Sequence, residues 1–448
     1  MHATRSFGAL GGAWLLVSAS LALAACDGTT PPPPPPRDAG ARDAGGDAAV
    51  GAEDAGDPDD GGAHDAGGAD AGARDAGPPL AGCTVDAETE LMVVGRDTDL
   101  ARIDAVAAGA SATRWAVAFS DDLEGARRVI VVRAPFDGSA PILRAVLDGS
   151  PEGARSPSVV ALEGGWLLAW EAGGEVVVRR YDAAFAPTAP AHTLAGGGSA
   201  PRLAALGAGA YAAWRADGRL YGRALSSTGT PSAPAVDLGA LAAGGAFGLG
   251  PLGADGGLLV VFGGAEGAAA RVRARRISAV GVAGPELAVG TTDESQGSLS
   301  SAGPPPTRPD GTAALAGGVA FDVRVGGVFR EVRFALLDAE ARPAFGEFAV
   351  NPSGEEAWGA ALTPFRDGFA VAHRTRPRVG GLSQIQLGVM GRESCELGRV
   401  DLRAPLAVSG AEAGSPIAMV AQGDAVVLAW SERLVDVVEH RVAVGRCR

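Results

Sequence analysis

The chain has 448 residues, 38 basic and 52 acidic, for a net charge of −14, and every basic residue is arginine. The lack of lysine removes Schiff-base and phosphate-loop lysine chemistry, and the acidic balance disfavours a nucleic-acid partner, which needs clustered positive charge. With 68 glycines, 30 prolines and 5% aromatics, the composition suits many short strands joined by turns rather than long helices, and fewer domains than the length alone would allow.

Arg5 precedes an apolar run from Ala9 to Leu23, centred on Trp14-Leu15-Leu16-Val17. This pattern predicts a signal peptide over residues 1–25; a retained membrane helix would be longer and followed by a basic stop. The next junction, Leu23-Ala24-Ala25-Cys26, resembles the lipobox of bacterial lipoproteins: a hydrophobic residue, two small residues and a cysteine. The resemblance covers only this N-terminus. It implies that Cys26 becomes the first mature residue and carries a diacylglyceryl thioether with an amide-linked acyl chain such as palmitate. Two or more chains anchor stably, at about 0.8 kcal/mol per buried methylene. The expected location is therefore a bacterial cell envelope, with the membrane as a partner through the N-terminal lipid. Asp27 is similar to an inner-membrane retention signal of enterobacterial lipoproteins; other lineages follow other rules, so inner and outer membrane both stay open.

Residues 26–82 form the lipidated cysteine and a linker. Six prolines, Pro31 to Pro36, precede six Asp-Ala-Gly units beginning at Asp38, Asp43, Asp54, Asp65, Asp70 and Asp75. Residues 27–82 carry a net −9, which with Arg5 leaves −6 for residues 83–448. Low hydrophobicity and high charge predict disorder. As coil, the segment would span about 40 Å, enough to lift a domain clear of lipid headgroups. The irregular spacing of the aspartates matches no calcium loop.

From residue 83 onward a short apolar run recurs: "RWAVAFS" to Phe119, "GWLLAWE" to Trp170, "AYAAWR" to Trp214, "GLLVVFG" to Phe262, "GGVAFDV" to Phe321, "GFAVAHR" to His373 and "VVLAWSE" to Trp430. Successive landmarks are 51, 44, 48, 59, 52 and 57 residues apart. Such a period, with several short strands per unit, predicts an all-β fold: a seven-bladed β-propeller over 83–448. In the clearest unit, Pro157 to Leu162, Trp166 to Trp170, Glu175 to Tyr181 and Ala191 to Leu194 are the four strands, divided by glycine-rich turns. The second strands are apolar at both parities, as burial between neighbouring blades requires. The last unit lacks a fourth strand, and Glu90 to Val94 has no partner of its own, so the N-terminal strand is expected to complete the final blade. Cys83 and Cys447 then fall close together and form the expected disulfide of an exported chain; Cys395 is a rival partner for either. The region resembles bacterial β-propeller repeat proteins in general, with a loose motif over about 365 residues.

Chemistry is sparse. His192, His373 and His440 lie in different repeats without metal-ligand spacing, so neither a metal nor a cofactor is expected. His373 stands where other repeats place Trp or Phe and reads as an interblade residue. A Gly-x-Ser-x-Gly elbow, an Asp-box turn and an Asp-x-Asp-x-Asp-Gly loop are all missing. Acid pairs such as Asp293-Glu294 and Glu355-Glu356 could serve acid–base chemistry if opposed across a channel. The residues following the second-strand landmark provide the candidate binding face: Ser120, Glu171, Arg215, Asp322, Arg374 and Ser431. Trp358, in the linking loop 351–358, joins them as an exposed-looking aromatic; loop 291–311 is a further candidate. Three functions follow: a binding or scaffold module for a protein or glycan, a propeller enzyme (lyase or glycosidase) acting on polysaccharide, and a structural spacer.

Overall fold

The computed structural model describes residues 83–85, 92–97, 106–123, 126–243, 245–253, 255–266, 269–289, 295–302, 317–325, 329–344, 347–350, 355–366, 368–377, 383–390, 397–400, 417–433 and 437–447. The signal peptide, Cys26, the linker, Cys395 and most of loop 291–311 lie outside them. The described residues form an all-β propeller in which every named element is a strand.

Six sheets are four-stranded antiparallel meanders. Their second strands are Arg114–Leu123 (sheet 1), Gly165–Ala172 (sheet 2), Gly209–Ala216 (sheet 3), Gly257–Glu266 (sheet 4), Gly317–Val325 (sheet 5) and Gly368–Pro377 (sheet 6). The number of four-stranded blades is thus six, not the seven expected. The remaining sheet has five strands and is built from both ends of the described chain. In this closing sheet Ala418–Gln422, Ala425–Arg433 and Val438–Cys447 come from the C-terminus, and both Met92–Asp97 and Cys83–Val85 pair with Val438–Cys447. The expected single N-terminal strand is therefore two segments. Met92 stands opposite Val442, and Cys83 stands opposite Cys447 in the backbone ladder. Pairing both ends into one sheet removes an open edge.

The first strand of each sheet neighbours that of the next, and Ala418–Gln422 of the closing sheet returns to Ala107–Ala110 of sheet 1. Hydrophobic clusters occupy every junction of this cycle. Side-chain alternation explains how one strand serves two of them. Trp166, Leu168 and Trp170 face sheet 1, where they meet Ala116, Ala118, Val129 and Val131. Leu167 and Ala169 face sheet 3 and meet Ala212 and Trp214. Each terminal aromatic also lies with the residue that precedes its counterpart in the sheet before, alanine in every pair but the fourth: Trp170 with Ala118, Trp214 with Ala169, Phe262 with Ala213, Phe321 with Val261, Trp430 with Ala372. Phe119 completes the cycle with Ala429. Small residues let the sheets approach while the rings fill the gap. Gly165 opens its strand for a related reason: a Cβ there would strike the carbonyl oxygen of Tyr181.

Candidate functional site

The first strands enclose a central cavity of about 350 Å³. The ladders define one ring of equivalent positions in its wall, each paired with the residue just before the second-strand landmark. They are Ala107, Ser158, Arg202, Gly248, Ser300, Ala361 and Ala418, and all line the cavity. Small side chains at six of these positions hold the space open. The two serines also stitch neighbouring sheets: Leu203 N–H donates to Ser158 Oγ and Leu362 N–H to Ser300 Oγ, each at 2.9 Å. Arg202 is the one large and charged member of the ring.

Four of the first strands reach this ring through an irregularity; in sheet 5 the shift lies between Ser295 and Leu299, and the other three share a backbone feature. The ladder shifts between Arg155 and Ser158, between Ser199 and Arg202, and between Trp358 and Ala361. A residue of positive φ sits within each: Ser156 and Ala200, both at 51°, and Gly359 at 74°. Bulges of this kind bend a strand and re-aim the side chain that follows, and a non-glycine residue held there costs roughly 1 kcal/mol or more.

The residues expected to form a binding face are mostly buried. Ser120, Glu171, Asp322, Arg374, Ser431 and Trp358 are all buried. They act between and within sheets. Asp322 accepts from Gly359 N–H (2.9 Å) and Ala360 N–H (3.3 Å), capping the bulge of sheet 6 from sheet 5. Arg374 donates to the Ser431 carbonyl at 2.9 Å, joining sheet 6 to the closing sheet. Arg155 Nε donates to Glu171 Oε1 at 2.8 Å, and Ser431 Oγ lies 2.8 Å from His440 Nδ1. Trp358 is not an exposed loop residue but part of Glu355–Phe365, opposite Arg374, with the Arg376 guanidinium 5.6 Å from its ring centroid. The reason is strand length. Arg114–Leu123, Gly317–Val325 and Gly368–Pro377 run four residues beyond their landmark and Ala425–Arg433 three, so the next position is still inside the stack. The acid pair Glu355-Glu356 is likewise engaged within sheet 6, by Thr375 Oγ1 (2.6 Å) and by Arg376 Nε (2.7 Å). His373 is buried.

Arg215 differs. It is only partly buried, and its side chain lines the cavity together with Arg202. Both belong to sheet 3 and lean toward sheet 4: the Arg202 guanidinium lies 5.9 Å from the Phe247 ring centroid, and Arg215 Nη2 donates to the Gly245 carbonyl at 2.6 Å. Burial inside the ring, and then the charge of Arg215, pull the Arg202 pKa down to about 10; burial lowers that of Arg215. Both remain cations at neutral pH. Arg202 escaped the sequence reading because "PRLAAL" alone looks like ordinary strand alternation. The signal lay across repeats, where every counterpart is Ala, Ser or Gly.

No family model and no curated protein matches this chain. Among solved structures it is similar to the Dos1 propeller, at 10% identity over 80% of this chain and 95% of that one, TM-score 0.43. It is also similar to a prolyl endopeptidase, at 15% identity over 73% of this chain, TM-score 0.39, where it spans 45% of that protein's length. A third is the α-L-arabinofuranosidase PaAbf62A from Podospora anserina in complex with cellotriose, at 14% identity over 60% of this chain and 90% of that one, TM-score 0.32.

Proposed function

We propose that this chain is a lipid-anchored binding module of a bacterial cell envelope: a signal peptide over 1–25, acylated Cys26 with a solvated linker to residue 82, and a seven-bladed propeller in which the five-stranded sheet is the closing blade. One observation carries the binding reading. The central cavity has a wall of small and apolar residues with two convergent cations, the pattern of a ligand pocket rather than of a filled core. Glycosidase chemistry instead needs two carboxylates facing each other roughly 5–9.5 Å apart; among the described residues, the side chains lining this cavity are Ala, Val, Leu, Ile, Met, Phe, Ser and Arg, with Gly248. The partner is a protein or a glycan. Glycan arrays and envelope pull-downs with the purified full chain test this. Saturable capture without turnover is the expected result; reproducible cleavage of any sugar polymer by the chain would replace the reading with the enzymatic one.

The closing sheet motivates a second part of the proposal, that Cys83 and Cys447 form a disulfide latch. They are direct partners in the ladder, and an exported protein meets oxidising conditions. A bridge spanning almost the whole propeller constrains the unfolded chain, typically by about 2–4 kcal/mol. Dithiothreitol should therefore lower the melting temperature of the wild type and leave Cys447→Ser unmoved. Mass mapping that pairs Cys395 with either residue would refute this connectivity.

A further inference from the structure

We propose that the central cavity binds an oxyanion between Arg202 and Arg215. This inference deepens the binding-module reading and rests on it, by naming the ligand chemistry of the same cavity.

Several other arginines of the molecule pair with carboxylates. Arg155 meets Glu171, Arg333 meets Glu347 at 3.2 Å, Arg376 meets Glu356 at 2.7 Å, and Arg441 lies 3.0 Å from Glu432. Arg374, the sheet 6 counterpart of Arg215, feels the charge of Glu432. The two cavity arginines have no such partner among the described residues. Among the described residues, Arg202 makes one hydrogen bond, Nη1 to the Pro201 carbonyl at 2.9 Å, and no carboxylate pairs with either cation. The Arg215 Nε is buried without a partner. A guanidinium offers five N–H donors in a fixed fork, so most of this donor capacity is unspent.

Two like charges, each only partly buried in the wall of one cavity, repel each other, and a counter-ion that joins them relieves this. The ring could have carried Ala or Ser at position 202, as it does at other positions, and the serines show that a hydroxyl there can close the junction. An arginine adds nothing to that closure, and it brings the fork geometry that matches carboxylate, sulfate and phosphate. The bulge at Ala200 places it two residues later on the cavity wall, and the Phe247 ring supports the flat face of the guanidinium. The cavity of about 350 Å³ admits an oxyanion borne on a small organic body, whose remainder would lie against the apolar wall at Leu249 and Leu362. An acidic sugar has this form; a free inorganic anion would occupy the arginine site alone.

Calorimetric titration of the full chain at low ionic strength distinguishes them, using inorganic sulfate, inorganic phosphate and sodium glucuronate, with chloride at matched ionic strength as reference. At least one of the three should bind saturably and raise the melting temperature beyond chloride. Glucuronate alone would mark a carboxylate-bearing ligand; sulfate or phosphate alone would mark a tetrahedral anion. Arg202→Gln and Arg215→Gln should each weaken binding at least tenfold, whereas Arg219→Gln, exposed, paired with Asp237 and outside the cavity lining, should not change it. Removing an uncompensated charge should also leave Arg202→Gln at least as stable as the wild type in anion-free buffer. Absence of saturable binding by all three probes, binding indifferent to both cavity variants, or an Arg202→Gln chain that fails to fold would each overturn the proposal. None of these readouts depends on an envelope partner, so the site can fail while the binding-module reading stands, and the reverse.

Discussion

Trp170→Ala should lower stability by about 3–5 kcal/mol, read as a fall in the urea midpoint at unchanged slope. The indole is 1% exposed and forms one cluster with Ala116, Ala118, Val129, Val131 and Leu147 of the preceding sheet. Its loss would leave a cavity between two sheets whose spacing is fixed by their other contacts, so the walls cannot collapse to refill it. Trp170→Phe should recover most of the loss, since a six-membered ring still covers Ala118. Ala118→Leu should also destabilise, by about 1–3 kcal/mol, because the added methylenes meet the indole. A loss below about 1 kcal/mol for Trp170→Ala would mean that the ring is not the wedge between sheets 1 and 2.

Much of this arrangement was legible in one repeat. Gly164-Gly165-Trp166-Leu167-Leu168-Ala169-Trp170 announces a strand apolar at both parities, and an open glycine entry followed by alternating large and small residues is what a doubly covered strand needs. The pairing of both chain ends was legible too, because the last repeat lacked a strand and the segment near Met92 lacked a partner. The positions of Ser120, Asp322 and Arg374 were not. Whether a polar residue after an aromatic reaches solvent depends on how far its neighbours' strands extend, and that is a property of the stack rather than of the repeat. Asp322 is buried because the bulge of sheet 6 offers it two backbone N–H groups, and a bulge leaves little trace in sequence beyond a residue such as Gly359. Arg202 needed the register of every ladder before its isolation among small residues became visible.

Acid should weaken the junction where the chain ends meet, and His440 should account for much of it. The ring is 2% exposed and stacks on Phe119 of sheet 1, centroids 4.4 Å apart at 26°, with Nδ1 held by Ser431 Oγ at 2.8 Å. Its backbone pairs with Gly95 of the N-terminal strand, where a Cβ would come within 2.6 Å of both Asp121 Oδ2 and Phe119 and 3.2 Å of His440 itself. Burial, and then the nearby Arg127 and Arg144 charges, push the His440 pKa from 6.5 down to about 3, while the Ser120 backbone acts in the opposite sense. Below pH 6.5 the unfolded chain therefore takes a proton that the folded chain refuses. The stability contributed by the neutral ring is full above that pH and falls toward pH 3, by at most about 1.4 kcal/mol per unit and about 5 kcal/mol over the window. Glu432 works against this trend, because burial raises its pKa and protonation relieves the folded state first. His440→Phe keeps the stack on Phe119 and removes the titration. It should lose about 1 kcal/mol at pH 7, where the Ser431–His440 hydrogen bond is gone, and then gain on the wild type as the pH drops. Urea midpoints for the two chains should converge and cross between pH 7 and 4. Parallel midpoint curves across that range would place the acid sensitivity elsewhere and leave His440 as a packing residue only.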